Sequence, residues 1–136
     1  MRKERLGVLP FVLEGSGRKT RLKLVLVQSR DGDRWVLPKG KPKSRMSRRD
    51  LAALEAWEEA GVRGSWGKRR PIDTTLRQAG ATLPLRLYPL EVRELAKRWP
   101  ESDRKRRLVS PRRCCELLCD AGLIRAVRTL EARLGI

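Results

Sequence analysis

Residues 35–62 read WVLPKGKPKSRMSRRDLAALEAWEEAGV, and this stretch decides the fold. Glu55, Glu58 and Glu59 stand at i, i+3 and i+4, so on a helix all three carboxylates share one face within about a turn. Like charges stacked in this way repel, so helix stability does not account for them. A hard divalent cation does, because Mg²⁺ and Mn²⁺ favour carboxylate oxygens. The opposite face carries Ala53, Ala56, Trp57 and Ala60, which are expected to pack on a sheet. Ser47 or Asp50 is the expected helix cap, and Gly61 suits the C-terminal end. A solvated acidic helix is the plain alternative for an isolated E-x-x-E-E. Its context argues otherwise: an apolar strand, a Pro38-Lys39-Gly40 turn and a loop precede the helix.

That arrangement resembles the Nudix hydrolase family, whose signature is G-x5-E-x7-R-E-U-x-E-E-x-G-U with U apolar. Gly40 matches the first glycine, Glu55 the Glu of R-E, Glu58 and Glu59 the paired Glu, and Gly61 and Val62 the ending. Ala56 fills the apolar position. Met46 and Leu54 depart from the pattern, standing where it has its first Glu and its Arg. In the family those charged residues support the loop and helix. An apolar contact between Met46 and Leu54 is the expected replacement, since exchanging an ion pair for an apolar pair of similar size is often neutral or stabilising. The resemblance implies an α/β fold, an α/β/α sandwich with a mixed β-sheet between helices. It also implies a pyrophosphohydrolase in which Glu55, Glu58 and Glu59, with the backbone carbonyl of Lys39, hold Mg²⁺ or Mn²⁺.

The chain has 136 residues, the length of a single domain spanning 1–136. Hydrophobic residues make up 40%, enough to build a core. With 33 Lys and Arg against 16 Asp and Glu, the net charge is +17, which implies attraction to polyanions such as nucleic acid, polyphosphate or a highly phosphorylated small molecule. Cys114, Cys115 and Cys119 are odd in number and closely spaced, and with no His in the chain they do not read as a zinc site. They are expected to be buried helix-face thiols of a cytoplasmic protein. No apolar run approaches a membrane span, and the basic start lacks a long apolar segment, so neither an anchor nor a signal peptide is expected.

Gly7–Glu14 reads as a strand whose Pro10 suits an edge or bulge, and Leu22–Gln28 as a central strand. Trp35–Leu37 forms a short strand, Arg63–Arg70 a β segment or loop, Ile72–Leu76 a weak strand, and Leu83–Arg93 a clear strand broken by prolines. Glu94–Arg107 reads as a loop around Trp99-Pro100-Glu101. Ser110-Pro111 opens a helix, and Leu123–Leu134 closes the chain with an apolar stripe at helical spacing.

The loop from Lys39 to Arg49 carries Lys39, Lys41, Lys43 and Arg45, which read as a clamp for substrate phosphates beside the metal. The tail, PLEV…WPES…R…SP and a final helix pair, resembles the branch acting on diphosphoinositol polyphosphates and dinucleoside polyphosphates, although Leu108 and Val109 stand where members often have aromatics. The general base comes from a box Glu, Glu91 or Glu101. A small-molecule polyphosphate is the expected partner, with weak, non-specific nucleic-acid binding and no membrane. The alternative is a weakly catalytic or non-catalytic Nudix-scaffold module that binds nucleic acid or polyphosphate through its basic surface. It lacks recognisable helix-turn-helix, zinc-finger or RNA-recognition signatures, and six aromatics are few for stacking on single strands.

Overall fold

The structure, a computed structural model, describes residues 4–136. Eight strands form one mixed sheet: β1 (Arg5–Glu14), β2 (Arg21–Gln28), β3 (Trp35–Val36), β4 (Lys39–Gly40), β5 (Val62–Ser65), β6 (Ile72–Gln78), β7 (Ala81–Leu95) and β8 (Arg106–Val109). The main path runs β3-β2-β1-β7-β5, with β4 added to β1, β6 to β7 and β8 to β2. Only β1 and β7 run parallel; the other pairs are antiparallel.

Period-two alternation along the central strands separates two apolar layers. Leu6 and Val8 of β1, Val25 and Val27 of β2, and Tyr88 and Leu90 of β7 pack on one side with Leu51, Ala52, Ala56 and Ala60. Leu9 and Phe11, Leu24 and Leu26, and Leu85 and Leu87 face the other side. There they meet α2 (Pro111–Leu118) and α3 (Ala121–Leu134) through Cys114, Leu118, Leu123, Ala126, Val127 and Leu130. The result is the α/β/α sandwich with α1 (Arg48–Glu55) on its own face.

The prolines behave differently from expectation. Pro10 lies in a central strand, not at an edge. Val8 N–H donates to the Pro38 carbonyl at 2.9 Å, so the missing N–H of Pro10, two residues on, falls on that same side. It falls where the partner of β1 changes from β4, paired at Leu6 and Gly7, to β2, paired from Phe11 onward. Likewise β7 is continuous through Pro84 and Pro89. Pro89 sits between the end of β6 pairing at Leu87 and the start of β5 pairing at Glu91, and Pro84 just precedes the parallel pairing with β1. Each proline occupies a place where one ladder bond is absent anyway.

Three smaller expectations also change. Part of the stretch read as loop is strand β8, which pairs with β2 through Arg106–Val109. Ser47, not Asp50, caps α1, its hydroxyl accepting from Asp50 N–H at 3.1 Å. Of the three cysteines, Cys114 is buried and its thiol is pushed up to about 12 by burial, Cys115 is half-buried, and Cys119 is exposed at the left-handed C-terminal position of α2. A maleimide should therefore label Cys119 first in the native protein and leave Cys114 untouched until unfolding; mass spectrometry of the labelled peptides checks the order. Among the described residues no helix is long and apolar enough to cross a membrane.

Candidate active site

The carboxylate helix does not run as α-helix to its end. After Glu55 the chain widens into a π-helical turn, Ala56–Ala60, closed by Gly61 N–H donating back to the Ala56 carbonyl. Such turns are rare and recur at functional sites. Gly61 ends the turn at φ +64°, the left-handed region that glycine enters without steric cost. The buried face comprises Leu51, Ala52, Ala56 and Ala60; Ala53, expected on that face, is exposed. Trp57 is half-buried, with the Arg63 guanidinium stacked 3.5 Å from its ring centroid.

With more than four residues in the final turn, Glu59 comes back over Glu55. Glu59 is only 8% exposed, and its carboxyl is within hydrogen-bonding reach of the Glu55 carboxyl. Burial, then the contact with Glu55, pushes the Glu59 carboxyl up to about 8, while the Arg104 guanidinium opposes the rise. The proton belongs to the pair. Gly40 lies directly against it: a Cβ there would stand 2.7 Å from the Glu55 Oε1. The first glycine of the box is thus a close-approach position. Glu58 is half-exposed, and among the described residues no three acidic or thiol groups gather into a metal-binding cluster.

Beside Glu59 opens a cleft of about 320 Å³. Among the described residues, Arg5, Arg30, Arg34, Lys39, Lys41 and Arg104 line it, and Glu59 is its one carboxylate. Burial lowers the Lys39 ammonium from its ordinary value, and neighbouring Glu59 works against that shift. Arg104 is 8% exposed; its Nε donates to the Gln28 carbonyl at 2.7 Å, and one terminal nitrogen lies 2.9 Å from Glu101 Oε1 and 3.4 Å from Glu59 Oε1. Glu101 also pairs at 3.0 Å with Arg30, so it is tied to two of the arginines that line the cleft without lining it itself. Glu91 is instead held by Arg69 at 2.8 Å and Arg93 at 3.5 Å. A second, mainly apolar pocket of about 270 Å³ continues from the cleft. The two share Arg34, Val36, Lys39 and Gln78, and Trp35, Leu76, Leu87, Leu118 and Leu123 form much of the inner wall.

Of the sequence-derived clamp, Lys39 and Lys41 line the cleft, whereas Lys43 and Arg45 stay exposed on the loop outside it. Sequence reasoning missed Arg5, Arg30, Arg34 and Arg104, which have no distinguishing pattern among 33 basic residues. The two departed box positions differ in burial. Leu54 packs partly against the α1-side core, but Met46 is 38% exposed and lies outside that core.

The raised Glu59 carboxyl has a consequence for stability. Because its folded pKa exceeds the unfolded one, the folded state holds more protons between about 4.5 and about 8. Its contribution to stability therefore falls as pH rises through that window. Wild type should lose melting temperature relative to Glu59→Gln between those limits, and Mg²⁺ should recover more of the loss at the upper end. Parallel melting curves check both signs.

No known sequence-family profile matches the chain, and no curated protein sequence matches it. Solved structures do. A C. elegans Ap4A hydrolase superposes with TM-score 0.77 at 13% identity, over 98% of this chain and 99% of that one. The Nudix domain of Shewanella oneidensis NrtR, complexed with ADP ribose, gives TM-score 0.71 at 15% identity, over 98% and 89%. A mutT/nudix family protein from Listeria innocua gives 0.64 at 13%, over 98% and 94%. Arrived at from the sheet order, the glycine-backed carboxylate turn and these superpositions, the conclusion is that this chain has the Nudix hydrolase fold.

Proposed function

We propose that the chain is a metal-dependent pyrophosphohydrolase that cleaves a phosphoanhydride in a small organic polyphosphate. The observation that carries this reading is the placing of two neighbouring carboxyls, Glu55 and Glu59, beside a cleft lined by six cations. The donor chemistry fits a hard divalent ion: two carboxyls that need a proton between them in its absence offer four oxygens once that proton leaves. Glu55 and Glu59 would hold Mg²⁺ or Mn²⁺, with Glu58 and the Lys39 carbonyl as the further ligands that the box pattern implies. When bound, the ion supplies a polarised phosphoryl oxygen and a water of lowered pKa.

The chain's own residues do the rest. Arg30, Arg34, Lys39 and Lys41 hold the phosphates and stabilise charge as the anhydride breaks. Glu101, paired with both Arg104 and Arg30, is the candidate to take the proton of the attacking water. The apolar continuation of the cleft favours a substrate with a ring at one end. Among nucleoside-diphosphate-linked, dinucleoside polyphosphate and diphosphoinositol polyphosphate substrates, it supports the two that carry nucleosides. Ap4A, for which one structural neighbour is named, and ADP ribose, which another binds, are therefore the first probes.

A panel of these compounds and a diphosphoinositol polyphosphate, each with Mg²⁺ and Mn²⁺, tests the reading. Divalent-dependent cleavage of a nucleoside compound is the expected result. No cleavage of any compound, with tight nucleic-acid binding that persists at physiological salt, would favour a binding module instead.

A further inference from the structure

A helix leaves its last four carbonyls without intrahelical partners. Here the carbonyls of Glu58, Glu59, Ala60 and Gly61 are all taken by one distant segment, residues 96–106. Glu101 N–H donates to Glu58 O at 3.0 Å, and Ala96 N–H donates to Gly61 O at 2.9 Å. The indole N–H of Trp99 donates to Glu59 O at 3.1 Å. The Arg106 guanidinium donates to Ala60 O at 2.8 Å, reaches Gly61 O at 3.4 Å, and ties back to Ala96 O at 2.8 Å. Arg106 also stacks on Trp99, 4.3 Å from the ring centroid. The Trp99 ring lies so close to Gly61 that a Cβ there would stand 2.6 Å away. A cation at this end of a helix also complements the helix dipole.

The same segment enters the cleft. Glu101 and Arg104 sit between Trp99 and Arg106, and Arg104 meets the Glu59 carboxylate whose own carbonyl Trp99 holds. Glu59 is therefore gripped at both its backbone and its side chain by one stretch of chain. With Met46 exposed and Leu54 apolar, the charged box positions give the turn no such hold.

Resting on the reading of Glu55 and Glu59 as metal ligands, we propose that Trp99 and Arg106 are positioning residues, which fix the π-helical turn so that Glu59 faces Glu55. They act through carbonyls and touch neither metal nor substrate.

The test uses Trp99→Phe, which keeps a ring against Gly61 but deletes the indole donor, together with Arg106→Met and Arg106→Lys. Mn²⁺ affinity is read by electron paramagnetic resonance without substrate, alongside melting temperature, kcat and KM. Expected are cooperative melting in all three, and Mn²⁺ affinity and kcat lowered about 10–100-fold in Trp99→Phe and Arg106→Met, the range for residues that orient metal ligands. KM should change less than about threefold, and Arg106→Lys should recover part of the loss, because an ammonium can still donate to one carbonyl. Wild-type Mn²⁺ affinity and kcat in variants that only melt earlier would reduce the segment to a structural prop and overturn the proposal. Should Arg106→Met fail to fold, Trp99→Phe decides alone. A wild-type protein that binds no Mn²⁺ would sink the metal reading itself, and the positioning role with it. That outcome is distinct from normal wild-type binding with unaffected variants, which overturns only the positioning role.

Discussion

Glu59→Gln should abolish catalysis while leaving the fold intact or firmer. The substitution keeps the volume of a side chain that is 8% exposed, and its amide can still hydrogen-bond to Glu55. It removes a buried carboxyl that the fold holds protonated up to about pH 8, so at that pH the variant avoids the cost of an ionised group against a second carboxylate. Arg104 loses one partner but keeps Glu101 at 2.9 Å and the Gln28 carbonyl at 2.7 Å. Divalent affinity should fall, and hydrolysis should drop by more than about 100-fold, the upper end of the cost of disturbing a residue that merely orients a ligand. Steady-state kinetics and melting curves on one preparation measure both effects. A stable, inactive variant is the expected signature of a site that trades stability for function. Near-normal turnover at limiting Mg²⁺ would remove Glu59 from the metal site. Glu58→Gln, at a ligand position inferred from the box, should lower divalent affinity as well.

Gly61→Ala should carry a large stability loss. Alanine at φ +64° costs about 1–2 kcal/mol, and its methyl would have to displace the Trp99 ring, an overpacking cost of about 1–3 kcal/mol. Together these lower the melting temperature by about 10 °C for a domain of this size. Gly80→Ala is the matched control. It shares the left-handed conformation, at φ +77°, but nothing lies within 4 Å of its added methyl, so only the backbone cost applies. Equal losses in the two variants would mean that Trp99 does not press on the turn.

Local patterns made part of this structure legible. The apolar runs of β1 and β2, the capped start of α1 and the stripe of α3 are each written in periodicity within one element. The closeness of Glu55 and Glu59 followed from their spacing, and the lining position of Lys39 from its place between strand and loop. What stayed hidden depends on partners distant in sequence. Pro10 and Pro89 read as interruptions until the changes of ladder partner beside them are known. Strand β8 is disguised because Arg106 and Arg107 look like another basic cluster. Arg106 instead spends its charge on backbone carbonyls, and Arg107 stacks 5.2 Å from the Trp35 ring centroid. Arg104 was missed for a related reason: in a chain of net charge +17, a buried functional arginine has no contrast with its neighbours. The π-helical turn was also invisible, since its widening is set by Gly61 and by hydrogen bonds from residues 96–106.

The central claim is that Glu55 and Glu59 hold a divalent cation at the head of the cationic cleft. Crystals grown with Mn²⁺ and measured for anomalous scattering test it most directly. The account predicts a peak within about 2.5 Å of carboxylate oxygens of both residues, the distance range of hard-cation ligation. A map with no peak there, or with manganese bound only elsewhere and the two carboxyls still in contact, would contradict it.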